Sequence, residues 1–326
     1  MLIKNILKII IASVIIYFLI SHNSLNFSTI FDLDLVLVIK VVLLCFIIMI
    51  LGALKWFLLL NIQNKKISFI RTLESYYLGY ALNYYLFGVA GDIIKTLYIS
   101  KNNENKTGIT LSVILDRVIG LICMGIIILY SIPVILISLE ISGFYIKNNK
   151  DIYFYYFLLS FLIVFLILLI KKILNSVRIK NFTINSSKKY KNKIIKTIFN
   201  IIDVFFMYKN NYQNIIFNII FSISIQIIIA FSLYIISTKT LIVDLGLISH
   251  TISSVCVQIL GIIPISPGNI GVGEAAFSQI MYYMSGYKVL EFASVYFIYR
   301  LINMVFALPG MFVYFFSIKR GLNSGK

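Results

Sequence analysis

Residues 264–277 read PISPGNIGVGEAAF. Two of the chain's four prolines and three glycines stand here beside Glu274, between an apolar run ending at Ile263 and another beginning at Phe277. Proline removes a backbone donor and glycine frees the backbone, so the stretch interrupts a helix. What such a break is doing inside an apolar region depends on the chain around it.

That chain is 326 residues long, 60% hydrophobic and 13% charged, with a mean hydropathy of +0.96. A soluble domain has roughly 45–50% apolar residues. A bilayer core of about 30 Å needs about 20 apolar residues per helix, and runs of that kind recur from Leu2 to Phe316. The expected class is an all-α polytopic membrane protein, one integral membrane domain over residues 1–326. The first run, Ile9 to Ile20, follows Lys4 and Lys8, but SHNSLNF is no cleavage site, so the run is kept as a membrane helix.

The formal net charge is +17, and nine Lys or Arg with no acid fall between Lys171 and Lys196. The positive-inside rule makes this a cytoplasmic loop, approximately residues 171–211, on an anionic leaflet and not a nucleic-acid patch. Cys45, Cys123 and Cys256 stand singly in apolar runs, and His22 and His250 are the only histidines. This inventory disfavours a disulfide framework, a zinc site and most Ser/His or Cys/His chemistry. No cofactor is expected.

Spanning helices are expected near Leu2–Ile20, Asp34–Leu60, Thr110–Leu139, Ile152–Ile170, Tyr212–Ser237 and Glu291–Phe316. Two regions do not fit: Ser68–Ser100, broken by FGVAGDIIK, and Leu241–Tyr287, which holds the opening stretch. Lys65, Lys66 and Arg71 before the first region, and Lys95, Lys101 and Lys106 toward and beyond its end, put both ends on the cytoplasmic side. Charges flanking the Leu241–Tyr287 region nearly cancel, while Lys319 and Arg320 place the C-terminus inside, so both ends of that region are expected outside. A segment that enters and leaves on one side is either a re-entrant hairpin or two short spanning helices. Irregular backbone at membrane depth needs cover from protein or a watery cavity. The hairpin reading gives six spanning helices and two opposed hairpins in half-repeats, about 1–140 and 151–318, and paired breaks at matching positions point to a transporter site. The N- and C-termini are expected in the cytoplasm, at a cell inner membrane.

Both breaks carry the same local order. Asp92 follows Gly91, and Glu274 follows Gly273, each before a helix-competent run. An acid there caps a helix and suits the positive end of its dipole. At the helix centre a charge costs roughly 2.5–3.5 kcal/mol on insertion scales, so a cation or a wet cavity explains each acid better than a cap alone. Arg300 lies within ASVYFIYRLINMVF, too deep to snorkel, while Lys95 stands three residues after Asp92 and Arg117 next to Asp116. Buried guanidinium groups seek carboxylate or phosphate. Two readings stay open: mutual structural pairing, or an anionic ligand shared by Lys95, Arg117 and Arg300. GNIGVG fails as a dinucleotide fingerprint, since no α/β unit surrounds it. The tyrosines of ESYYLGYALNYYLF serve as packing or line a path for a polar headgroup.

NYYLFGVAGDIIKTLYISK, SVILDRVIGL and PISPGNIGVGEAAF, in this order, resemble the flippase-like membrane domain of lysylphosphatidylglycerol synthases. The resemblance spans nearly the whole chain and carries Asn83, Gly91, Asp92 and Lys95 on the first motif and Asp116, Arg117 and Gly120 on the second. On the third it carries Pro264, Pro267, Gly268, Gly271 and Glu274. It implies translocation of a lipid with a phosphate headgroup, an anionic phospholipid or a lipid-linked saccharide. The substrate-binding set would be Asp92, Lys95, Arg117, Glu274 and Arg300, and the tips would be shaped by Asn83, Gly91, Asp116, Pro264, Pro267, Gly268 and Gly271. Relatives often have arginine at the place of Lys95 and a basic residue at that of Gly273, departures that weaken the expectation of a lysylated lipid. The chain carries no aminoacyl-transferring segment, so it is not expected to make that lipid. The alternatives are a non-transporting partner of a glycosyltransferase or lipid-modifying enzyme, and a membrane transferase using Asp92 or Glu274 as base.

Overall fold

A computed structural model describes residues 2–22, 24–31, 33–63, 67–85, 90–100, 106–140, 154, 156, 158, 211–241, 245–263, 265–285 and 291–323. The described elements are helices: α1 (Leu2–Ser21), the single turn α2 (Ser28–Phe31), α3 (Leu35–Gln63), α4 (Phe69–Tyr85), α5 (Ala90–Ser100) and α6 (Lys106–Glu140). They continue with α7 (Tyr212–Thr240), α8 (Gly246–Leu260), α9 (Val272–Ser285) and α10 (Phe292–Asn323). Pro264, most of the expected helix Ile152–Ile170 and the basic segment 171–196 lie outside the described residues.

Four described stretches are long and apolar enough to cross a bilayer: Leu35–Ile62, Gly108–Ile135, Gln213–Thr240 and Phe292–Phe312. They belong to α3, α6, α7 and α10, and the protein is an all-helical membrane protein. Its outward faces agree with that. Val36, Ile39, Leu43, Phe46 and Ile47 of α3 and Ile216, Phe217, Ile220, Ile227 and Phe231 of α7 are exposed, an apolar surface suited to lipid and costly in water.

The two irregular regions are helix pairs, α4 with α5 and α8 with α9. At 1.5 Å per residue these helices are about 16–26 Å long, so each is short of a full crossing. In the first pair the backbones nearly touch. A side chain on Gly91 would overlap the Gly79 carbonyl and the Asn83 side chain, and the Asn83 Oδ1 accepts the Gly91 N–H at 3.1 Å. Small residues at the contact and a side-chain acceptor for an orphan helix N–H keep the pair together without water. Ser75 adds a hydroxyl bond to the Lys95 carbonyl at 2.7 Å.

The second pair is joined by the opening stretch. After α8 ends at Leu260, a 3₁₀ turn spans Pro267–Asn269, and Gly268, Asn269 and Gly271 all take positive φ, at 53°, 62° and 80°. A Cβ on Gly268 would meet the Tyr84 carbonyl, so this tip rests on the end of α4. The two irregular regions are therefore in contact with each other.

The tyrosine-rich helix α4 is latched to α10. Tyr77 donates to the Phe306 carbonyl at 2.5 Å, Tyr85 to the Met304 carbonyl at 2.6 Å, and Tyr80 to the Asn303 side chain. Pro309 within α10 has no N–H for the Val305 carbonyl one turn back, and the phenol donors fall on the carbonyls on either side of it, those of Met304 and Phe306. The main core unites Val41 and Cys45 of α3, Leu233 and Ile236 of α7, Phe277 and Met281 of α9, and Val295 and Ile298 of α10. A second core packs Trp56 of α3 against Ile99 of α5 and Ile109 and Val113 of α6.

Candidate functional site

Both helix pairs open onto one cavity of about 880 Å³, lined from α3, α4, α5, α6, α8, the 3₁₀ turn and α10. Its volume falls in the range of small-molecule sites, about 300–1,000 Å³. Lys55, Asp92, Lys95, Asp116, Arg117 and Arg300 line it. Glu274 stands behind Arg300 and is fully buried.

Three ionic groups form. In the first, Asp92 is the third residue of α5 and holds two cations, Lys95 Nζ on Oδ1 at 2.8 Å and Arg117 on Oδ2. Lys95 also lies over the rings of Trp56 and Tyr76, with 4.9 and 5.3 Å to their centroids, so its charge is held by a carboxylate and two aromatic faces. The Arg117 side chain is 44% exposed, whereas that of Lys95 is 5% exposed.

In the second group Lys55 Nζ is 3.2 Å from Asp116 Oδ1. Asn218 of α7 donates to Asp116 at 3.3 Å and to the Lys55 carbonyl at 2.9 Å, and Lys55 reaches Ser222 at 3.4 Å. This arrangement ties α3, α6 and α7 together next to the cavity.

In the third group Glu274, the third residue of α9, is ion-paired through one oxygen with Arg300 Nε at 2.7 Å and accepts the Gly271 N–H at 2.7 Å on the other. The remaining guanidinium nitrogens donate to the carbonyls of Gly268 at 2.7 Å and Asn269 at 2.9 Å. Positive φ turns these two successive carbonyls toward one side chain, which is why the tip needs residues that tolerate the left-handed region. Both terminal guanidinium nitrogens of Arg300 are thus hydrogen-bonded, and its Nε is ion-paired with Glu274.

The first and third groups share one local pattern. Each has glycine, then acid as third residue of a short helix, then an arginine on the long helix that follows. Their states differ: Arg117 is half open to the cavity, and Arg300 is 5% exposed and fully engaged by its own tip.

Of the residues singled out in the sequence, Asn83, Asp92, Lys95, Asp116, Arg117, Gly268 and Arg300 line the cavity, while Gly91 and Gly271 shape the backbone behind it. Pro267 opens the 3₁₀ turn. Lys55 escaped the sequence reading, although a lysine inside ILGALKWFLLL is the kind of intramembrane charge that flags a site. Asn218 and Gln258 were missed as well; single amides in apolar helices carry no pattern that marks them. Among the described residues the cavity groups comprise four cations, Lys55, Lys95, Arg117 and Arg300, and three carboxylates, Asp92, Asp116 and Glu274. One carboxylate shared between Lys95 and Arg117 leaves an excess positive charge at that wall.

A family model described as the lysylphosphatidylglycerol synthase TM region matches residues 5–310. No curated protein and no solved structure matches the chain.

Proposed function

The chain belongs to the lysylphosphatidylglycerol synthase membrane-region family, and from that premise we propose that it is a lipid flippase, moving an anionic phosphate headgroup between leaflets through the cavity between its two helix pairs. The observation that carries the reading is the shared carboxylate: Asp92 serves both Lys95 and Arg117. An arriving phosphate takes the exposed Arg117 fork, which grips it bidentately, while Lys95 keeps Asp92. The site is neutralised by the ligand and regains its internal pairing on release, so binding is favourable without trapping the headgroup. The acyl or prenyl chain stays in the bilayer.

Arg300 has a different part in this mechanism. With its guanidinium held by Glu274, Gly268 and Asn269, it positions the second tip and is not the phosphate ligand. The two helix pairs act as re-entrant hairpins whose tips meet at membrane depth, the first entered from the cytoplasmic side and the second from outside. The protein then sits in the inner membrane with both termini in the cytoplasm.

The test is reconstitution. Purified protein in vesicles carrying tail-labelled phosphatidylglycerol should expose inner-leaflet label to an impermeant quencher. Lys95→Gln and Arg117→Gln should each slow that exposure about tenfold or more, the cost of roughly 1.4 kcal/mol at the barrier. A rate equal to that of empty vesicles for the wild type sinks the flippase reading and favours a non-transporting partner of a lipid-modifying enzyme or glycosyltransferase.

A further inference from the structure

Neutral polar side chains also line the cavity: Asn83, Tyr84, Gln258, Asn269 and Tyr296. Of these, Asn269 and Tyr296 lie beside Arg300, whose guanidinium is already held by Glu274 and the tip carbonyls. Gln258 is held in place by Gln226 of α7 through reciprocal amide bonds of 2.8 and 3.2 Å. Asn269 sits on the 3₁₀ turn at positive φ, and its Oδ1, closed off from solvent, accepts no hydrogen bond among the described residues.

These groups have a chemistry that a phosphate cannot use in full. A phosphate diester offers acceptors alone, and an unmatched amide oxygen repels acceptors. Amides both donate and accept, and so do hydroxyls. A buried acceptor with no donor is costly to leave unmade, and a rotation of the Asn269 amide toward a ligand O–H would satisfy it. The cavity, at about 880 Å³, also has far more room than a bare phosphate needs. A cationic aminoacyl headgroup would require a free carboxylate, but Asp92, Asp116 and Glu274 are each already paired with a cation.

We propose that the headgroup is a phosphate joined to a neutral, polyhydroxylated ring, as in a lipid-linked saccharide, with its phosphate at Lys95 and Arg117 and its ring against Gln258 and Asn269. This inference rests on the lipid-headgroup reading above and adds the class of headgroup to it.

The experiment is competition for the purified full-length protein among equimolar phosphatidylinositol, phosphatidic acid and lysyl-phosphatidylglycerol, with bound lipid counted by native mass spectrometry. Phosphatidylinositol supplies the hydroxylated ring, phosphatidic acid the phosphate alone and lysyl-phosphatidylglycerol the cation. Phosphatidylinositol should exceed phosphatidic acid by about fivefold, the affinity of one net hydrogen bond, and the lysyl lipid should bind least. Asn269→Gly keeps the left-handed backbone and removes the amide, so it should bring the first ratio to within about twofold. The double variant Gln226→Leu with Gln258→Leu, which removes both amides of the pair together, should do the same. Equal binding of phosphatidylinositol and phosphatidic acid, with both lost in Lys95→Gln, overturns the saccharide inference and leaves the anionic-lipid reading standing. Preference for the lysyl lipid overturns both, and a phosphatidylinositol preference unchanged in both amide variants overturns the placement of the ring against Gln258 and Asn269.

Discussion

Two arginines in matching positions should fail in opposite ways when each is replaced by glutamine. Arg300→Gln removes a 2.7 Å pair with Glu274 and charge-assisted donors to the Gly268 and Asn269 carbonyls. It leaves a carboxylate that is fully buried with the Gly271 N–H. Breaking a buried pair by deleting one partner costs about 3–5 kcal/mol, because the other charge stays uncompensated. Arg117→Gln is a milder loss. Asp92 keeps Lys95 at 2.8 Å, and the lost side chain is 44% exposed, so solvent screens the pair and the cost is under about 1 kcal/mol.

The assay heats detergent-purified protein and scores the fraction that remains monodisperse, beside vesicle transport by the same preparations. Arg300→Gln should lower the midpoint by roughly 6–20 °C, from about 3–5 kcal/mol at about 2–4 °C per kcal/mol. Arg117→Gln should keep the wild-type midpoint within about 4 °C and lose transport. Adding Glu274→Gln to Arg300→Gln removes the stranded charge and should recover more than half of the lost midpoint. Equal destabilisation by both arginine variants, or no rescue by Glu274→Gln, would refute the division between a structural pair in the second tip and a working pair in the first.

Three other outcomes are expected. Gly271 takes a φ of 80°, and its Cβ would lie 3.0 Å from the Ala12 carbonyl; Gly271→Val should therefore block transport, and full activity would show that the tip tolerates a side chain. The chain has one tryptophan, Trp56, under the Lys95 ammonium, so titrating phosphatidylglycerol into protein-loaded nanodiscs should shift its emission, and a shift that survives Lys95→Gln would place the lipid elsewhere. Cysteines introduced at Asn185 and Ser324 should be shielded from an impermeant thiol reagent in intact cells while one at Asn148 is labelled, and labelling of the first two would invert the proposed topology.

How far the sequence led can be judged from these same residues. The break at 264–277 and its counterpart before Asp92 were legible because glycine and proline in an apolar run have few other uses, and because an acid straight after glycine appears at both. Arg300's need for an anionic partner was legible from its depth. Its carbonyl ligands were not, since carbonyl directions at Gly268 and Asn269 depend on positive φ values that a residue string does not specify. Lys55 and Asn218 were hidden by long-range contact: Asn218 meets Asp116 only when α6 and α7 pack side by side. The expectation of three cations gripping one phosphate treated Lys95, Arg117 and Arg300 as equal, and in the structure they differ in how much of each is already taken.

Under the proposed function that difference would bear on how the protein works. If the two acid–arginine pairs were equivalent, they would present the same face to the cavity. Instead Glu274 and Arg300 close on their own tip with every guanidinium nitrogen engaged, while Asp92 divides itself between Lys95 and a half-exposed Arg117. The excess charge therefore lies on one side of the cavity, next to the first helix pair. In the proposed flippase a headgroup drawn there by charge would meet Asn269 of the second tip and Gln258 of α8, so capture and passage would use different residues. A strong, charged first contact would then be separate from weaker contacts further along, and a ligand could enter favourably and still leave.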